Sequence, residues 1–176
     1  MKHRFFRTSM GISAVLGDEQ GIFAVLLPAD YDTSRQRVAQ TWPHSVEEPT
    51  LAEELVARVV DFLSGKDVDI PLDLVNTSVC TPFQLRVLVA ERSIPRGMTA
   101  SYTWLARRAG TKAVRAAGSA LARNPFPIVV PCHRAIRSDR TLGNYQGGTP
   151  MKRRLLEMEG VRFDPDGRVS VDFFLP

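Results

Sequence analysis

The hydrophobic pattern changes period near Thr81, and that change restricts the chain to a fold built in two parts. Before it, Phe5-Phe6-Arg7-Thr8-Ser9, Ile12-Ser13-Ala14-Val15-Leu16 and Ile22-Phe23-Ala24-Val25-Leu26-Leu27 are short β-rich runs separated by Gly11 and by Gly17-Asp18-Glu19-Gln20-Gly21. Runs of that length between glycine-bearing turns predict an antiparallel meander. Apolar residues then recur at Leu51, Leu55, Val59 and Phe62, the spacing of an amphipathic helix over 49–64, and 68–74 reads as one more strand. After Thr81 the pattern is helical. Thr81 is a cap with Pro82 at the first helical position, and Phe83 to Ala90 forms the first helix. The turn Ile94-Pro95-Arg96-Gly97 leads to a second helix over 101–109, and Gly110-Thr111 separates it from a third over 112–122. The predicted fold is therefore α+β. A small antiparallel-sheet domain with a helix, residues 1–78, precedes a mainly helical domain, residues 79–176, that contains a helix-turn-helix.

A length of 176 residues with 44% apolar composition is ample for a packed core. No apolar run approaches the roughly 20 residues that cross a bilayer, and Met1-Lys2-His3-Arg4-Phe5-Phe6 lacks the apolar core of a secretory signal. A cytoplasmic protein is expected, associated with the nucleoid, or nuclear in a eukaryote, with no membrane partner. Two cysteines, Cys80 and Cys132, are too few for a disulfide framework or a cysteine-rich zinc site. His3, His44 and His133 show no ligand spacing, so neither a metal nor another cofactor is expected. The charge is unevenly spread. Residues 1–80 carry seven Lys/Arg against twelve Asp/Glu, whereas residues 81–160 carry fourteen against four. A segment that basic suits a polyanionic partner.

The chemistry is expected at Ile128-Val129-Val130-Pro131-Cys132-His133-Arg134-Ala135-Ile136, where an apolar stretch meets a cysteine followed by a histidine and an arginine. A thiol reacts as its thiolate, and neighbouring positive charge lowers its pKa, so the junction offers what a nucleophilic cysteine needs. The third helix has two faces when drawn at 100° per residue. Ala113, Ala117, Ala120 and Leu121 fall on one, while Arg115, Ser119 and Ala122 point the other way. One arginine thus stands among small side chains, an arrangement that lets a partner approach closely, a DNA groove being one such partner. On a helix over 150–159, Met151, Leu155 and Met158 form an apolar face that Glu159 joins and Glu157 leaves. A carboxylate on a buried face needs a partner, and His133 is the candidate.

Taken in order, Ile94-Pro95-Arg96-Gly97, Ser101-Tyr102, Leu105-Ala106, Arg115-Ala116-Ala117-Gly118, Asn124-Pro125, Pro131-Cys132-His133-Arg134, Gly143-Asn144-Tyr145-Gln146-Gly147-Gly148, Lys152, Leu155-Leu156 and Glu159-Gly160 resemble the O6-alkylguanine-DNA alkyltransferase family over about residues 70–160. The resemblance implies irreversible, stoichiometric transfer of an alkyl group from O6 of guanine in double-stranded DNA to Cys132, after the nucleotide is flipped out of the duplex; O4-alkylthymine is a second substrate candidate. It implies that His133 takes the thiol proton through a water, that Glu159 orients His133, and that Asn124 and Tyr102 complete the catalytic set. DNA contacts are implied for Arg115, which fills the vacated space, and for Ala116, Ser119, Leu121 and Arg123. The substrate pocket is implied for Tyr102, Pro127, Ala135 through its carbonyl, Leu142, Tyr145 and Gln146. A monomer without cofactors is expected.

The pattern departs from the family at Asp139-Arg140, Trp104 and Gln146, which bears on substrate size. Two other classes were weighed. A cysteine hydrolase would need Cys132 and His133 to face each other from adjacent positions, with an oxyanion motif that is not evident. A DNA-binding protein without alkyl transfer would be either a helix-turn-helix regulator or a damage sensor, and such sensors resemble the same family but usually carry tryptophan where this chain has Cys132.

Overall fold

The computed structural model describes residues 1–175 and contains two compact units, Met1–Val79 with Pro125–Val129, and Cys80–Asn124 with Val130–Pro176. In the first, β1 (Lys2–Thr8), β2 (Gly11–Asp18) and β3 (Gly21–Ala29) form the antiparallel meander that the glycine spacing predicts, and β4 (Val46–Glu47) adds to β1 in parallel, giving the order β3-β2-β1-β4. At Gly11, φ is +128° and any Cβ would lie 2.5 Å from the Ala29 carbonyl oxygen, so this turn accepts only glycine. β2 is buried from Ser13 through Gly17, as a central strand covered on both faces is. A helix, α1 (Tyr31–Thr41), packs on β2 and β3, and α2 (Glu53–Leu63) packs on β1 through a face that includes Leu55, Val59 and Phe62.

Two sequence expectations differ from the structure. The helix over 49–64 begins only at Glu53. The 68–74 run forms no strand: Pro71 leads into a single 3-10 turn, Leu72–Leu74, and the aspartates around it favour turn over ladder. Helix α1 went unread because only Ser34 and Val38 of its eleven residues are buried, leaving almost no apolar stripe to detect.

The second unit opens with α3 (Pro82–Arg92), whose cap Thr81 accepts a hydrogen bond from the Gln84 amide at 3.2 Å. A short strand β5 (Thr99–Ser101) runs directly into α4 (Tyr102–Arg108), with the Ser101 hydroxyl capping it on the Trp104 amide. Then follows α5 (Val114–Ala122). Helices α3, α4 and α5 pack against one another, and α4, the Gly110 turn and α5 make the helix-turn-helix. The faces of α5 fall as drawn for Ala117, Ala120 and Leu121, which are buried, and for Arg115, Ser119 and Ala122, which are exposed. Ala113 is the exception. It is exposed because it caps the helix instead of lying within it. Beyond β6 (Ala135–Ile136), α6 (Gly148–Met158) buries Lys152, Leu155 and Leu156, while Met151 and Met158 are only half-buried. The strand β7 (Phe174–Leu175) pairs with β5 in parallel, and β6 pairs with its other edge.

Candidate active site

Cys132 opens a 3-10 turn, Cys132–Arg134, that follows Pro131; the Cys132 amide bonds the Val130 carbonyl at 2.8 Å and the Arg134 amide bonds that of Pro131 at 2.9 Å. Just before it, residues 128–129 form a turn. Proline fixes φ and tightens the chain here, so three successive side chains leave the backbone in different directions. All three are buried, with His133 wholly excluded from solvent.

The side chains of His133 and Arg134 converge on Glu159, the C-terminal cap of α6. Glu159 Oε1 accepts from His133 Nε2 at 2.8 Å and from Arg134 Nη2 at 2.9 Å; Oε2 accepts from Arg134 Nε at 2.9 Å and from the Gly97 amide at 3.3 Å. Arg134 also donates Nη1 to the Ile94 carbonyl at 2.8 Å, which fastens the Ile94 to Gly97 turn to the same carboxylate. A Cβ at Gly97 would stand 3.1 Å from the Glu159 carbonyl oxygen. Burial works to raise the Glu159 pKa, but the His133 and Arg134 hydrogen bonds and charges outweigh it and hold the group at about 2. A carboxylate can only accept, so Nε2 of His133 carries its proton and Nδ1 keeps the lone pair. Burial keeps His133 neutral by lowering its pKa.

Cys132 is 6% exposed. Burial is the chief reason its thiol is pushed up to about 11, and hydrogen bonding to Asn124 and the charge of Lys152 offset that only in part. The adjacent His133 and Arg134 therefore do not supply a standing thiolate, because Arg134 is already neutralised by Glu159. The resting group is a thiol. Asn124, 2% exposed, fixes its own amide on the Val130 carbonyl at 3.1 Å.

Cys132 lies at the floor of a cavity of about 740 Å³. Of the residues expected at the site, Tyr102, Arg115, Ser119, Leu121, Tyr145 and Gln146 line it with Cys132. His133, Glu159, Asn124, Ala135 and Leu142 lie behind that lining, buried. Ala116 and Arg123 are exposed on α5 and at its end without reaching the cavity, and Pro127 falls in the 125–129 segment of the other unit. Tyr102 is pushed up to about 12 by burial and by the charges of Glu91 and Cys132, and Tyr145 is raised well above its ordinary value by burial and by Cys132. Both phenols are held as hydrogen-bond donors.

Residues the sequence reading left without a role also shape the site. Arg137, Gly143 and Asn144 line the cavity, and a Cβ at Gly143 would sit 3.5 Å from the Tyr102 hydroxyl. Lys152, 1% exposed, donates Nζ to the Ala135 and Leu142 carbonyls at 2.6 Å each, joining the two backbone segments that flank the cavity. Ala135, whose carbonyl the family resemblance reserves for the guanine amine, thus already accepts from Lys152. Glu91 on α3 is fully buried, and its carboxyl has no side-chain hydrogen-bond partner, the Ala135 backbone exerting the one weak hydrogen-bonding pull on it. Both charges could have been found by period, since Glu91 follows Val87 by four positions and Lys152 precedes Leu155 and Leu156 by three and four.

Burial pushes Glu91 up to about 8, against the pull of Lys152 and Arg134. Its folded value exceeds its unfolded one, so the stability carried by the protonated acid is whole below about pH 4.5 and is lost as pH rises through about 8. Glu91→Leu is expected to melt higher than the parent, with the gap wider at pH 9 than at pH 5. Thermal melts at the two pH values check this; a gap that fails to widen rejects it.

A helix-turn-helix whose second helix walls a cavity reaching a buried cysteine defines the class, a DNA-binding type of fold with a thiol in its cleft. Residues 82–161 match the family model described as 6-O-methylguanine DNA methyltransferase, DNA binding domain. A methylated-DNA–protein-cysteine methyltransferase from Methanothermobacter thermautotrophicus is 42% identical over 153 residues, covering 87% of this chain and 81% of its own. The bifunctional transcriptional activator/DNA repair enzyme Ada of Escherichia coli is 38% identical over 155 residues, 85% of this chain but 43% of Ada. The crystal structure of Mycobacterium tuberculosis OGT in complex with DNA aligns with a TM-score of 0.71 at 32% identity, over 90% of this chain and 92% of that one. The chain belongs to the methylated-DNA–protein-cysteine methyltransferase family. Among the described residues no helix is long and apolar enough to cross a membrane, and no group of three His, Cys, Asp or Glu side chains is arranged to hold a metal.

Proposed function

We propose that this protein repairs O6-alkylguanine in double-stranded DNA by moving the alkyl group onto Cys132, once per molecule. The observation that carries the reading is the exposed face of α5, with Arg115 and Ser119, opening onto the cavity that ends at Cys132. A target base inside the stack is out of reach of a buried sulfur, so the nucleotide must be rotated into the cavity at a cost of a few kcal/mol. Arg115, Ala116, Ser119 and Arg123 face the duplex, with Arg115 filling the space the base leaves, while Leu121 lines the cavity that receives the base. Residues 1–78 serve as scaffold, and the protein acts as a monomer in the compartment that holds its DNA.

In the chemical step the sulfur attacks the alkyl carbon, an S–C bond forms, and the C–O6 bond breaks with its electron pair passing to guanine. The thiol proton leaves towards the neutral His133, whose developing charge Glu159 stabilises, and the guanine recovers a proton from Tyr102 or solvent. A thiol at about 11 makes this coupling necessary, because little thiolate exists at neutral pH. The thioether product has no route back to a thiol. Intact-mass measurement after incubation with a duplex containing O6-methylguanine tests the reading: a gain of one methyl group, mapped to Cys132, is expected, and an unmodified protein would reject it.

Flipping and chemistry are separable. Arg115→Ala is expected to slow repair of O6-methylguanine in a duplex by about tenfold or more, and to leave reaction with free O6-benzylguanine within about twofold, since the free base needs no extrusion. Rates on the two substrates decide it. Equal losses would place Arg115 among the groups that shape the cavity.

A further inference from the structure

Two glutamines hold the C-terminal end of α5. Gln84 of α3 donates Nε2 to the Ala120 and Arg123 carbonyls at 3.3 and 2.9 Å, and Gln146 donates Nε2 to those of Ala122 and Asn124 at 2.9 and 3.2 Å. The last carbonyls of a helix have no partner within it, so they are available acceptors. Because both groups facing the Gln146 amide are carbonyls, only its NH2 end can meet them, and its two N–H donors match two acceptors.

The two glutamines join different things. Gln84 ties α5 to another packed helix, whereas Gln146 ties it to 143–147, the non-helical stretch that forms another wall of the cavity. Ala122 itself lines that cavity, so the tie spans the cleft from wall to wall. Lys152 holds the beginning of the stretch at the Leu142 carbonyl, and the Gly148 amide closes its end on the Tyr145 carbonyl at 3.0 Å. Gly143 and Gly148, at φ of +69° and +81°, bracket it with positions where the backbone turns without steric cost.

We infer that Gln146 is a specificity-determining residue: by clasping 143–147 to the end of α5 it limits the width of the cleft, and with it the size of the O6 substituent that can reach Cys132. This rests on the alkyl-transfer function proposed above. Gln146→Ala removes the clasp, and Gln146→Glu sets a carboxylate against two carbonyl oxygens and drives the side chain away with little change in size. Either way the cleft widens.

The test compares single-turnover transfer from two duplexes of identical sequence, one carrying O6-methylguanine and the other O6-benzylguanine. Using the ratio of the two rates cancels changes in DNA affinity and in stability that a variant causes. The benzyl-to-methyl ratio is expected to rise about fivefold or more in both Gln146 variants, the scale set by losing a pair of neutral hydrogen bonds. It should stay within about twofold of the parent in Gln84→Ala, which loses two bonds at the same helix end but leaves 143–147 clasped. A ratio unchanged or lowered in both Gln146 variants overturns the inference, as does an equal rise in Gln84→Ala. Failure of the parent to transfer from either duplex would instead reject the function on which the inference rests.

Discussion

Cys132→Ala will bind duplex DNA containing O6-methylguanine and gain no mass, while the parent gains one methyl group under the same conditions. No other side chain lining the cavity is a ready acceptor in its place: Tyr102 and Tyr145 are held protonated, Ser119 is an un-ionised alcohol, and Asn144 and Gln146 are amides. Removing one sulfur from a buried site costs about 1 kcal/mol or somewhat more in packing, too little to unfold a domain, so loss of transfer will reflect chemistry. DNA affinity is expected within about threefold of the parent, since Arg115 and the exposed face of α5 are untouched. Cys80→Ser will keep activity, because Cys80 lies at the boundary before α3 and outside the cavity. Methyl transfer by Cys132→Ala in one-to-one yield would sink the assignment of the acceptor.

Glu159→Gln will lose both stability and rate, and the two losses can be told apart. The carboxylate receives His133, two nitrogens of Arg134 and the Gly97 amide; an amide offers one acceptor oxygen and turns a donor towards donors. It also leaves the Arg134 guanidinium without its counter-charge, a change that costs about 3–5 kcal/mol when a buried pair is broken. The variant is therefore expected to be less stable than the parent. In the parent the Glu159 pKa lies below its unfolded value. Its contribution is present above about pH 4.5 and lost as pH falls towards about 2, so the parent weakens through that acid window while Glu159→Gln does not. Alkyl transfer, measured at a temperature where the variant is still folded, should slow by about 10²-fold, because His133 can no longer be stabilised as it gains charge. A folded variant that transfers at the parent rate would reduce Glu159 to a counter-ion for Arg134.

Much of this was legible in the residues. Glycines at 11, 17 and 21 marked the hairpin turns because a tight reversal has few other solutions, and Thr81-Pro82 marked the start of α3 because capping chemistry is local. The convergence of His133 and Glu159 was readable from angle alone, since Glu159 shares the side of α6 that carries Leu155. Arg134 was not. It stands two positions after Cys132, but its partners are a carboxylate 25 positions away and the Ile94 carbonyl 40 positions away.

What the sequence determined by itself was the set of parts: an α+β chain, a helix with one small-residue face and a single arginine, a cysteine next to a histidine, and a glutamate placed to meet that histidine. These follow from period, capping and side-chain chemistry, which act within a few residues. The tertiary structure decided the states of those parts. It made Cys132 a thiol at about 11, because desolvation sums over everything packed around the sulfur and Arg134 is spent on Glu159. It gave the buried Lys152 the Ala135 and Leu142 carbonyls as partners, and turned the Gln146 side chain into a clasp across the cavity. Each of these depends on which distant groups come within a few ångströms, and only the folded chain brings them there.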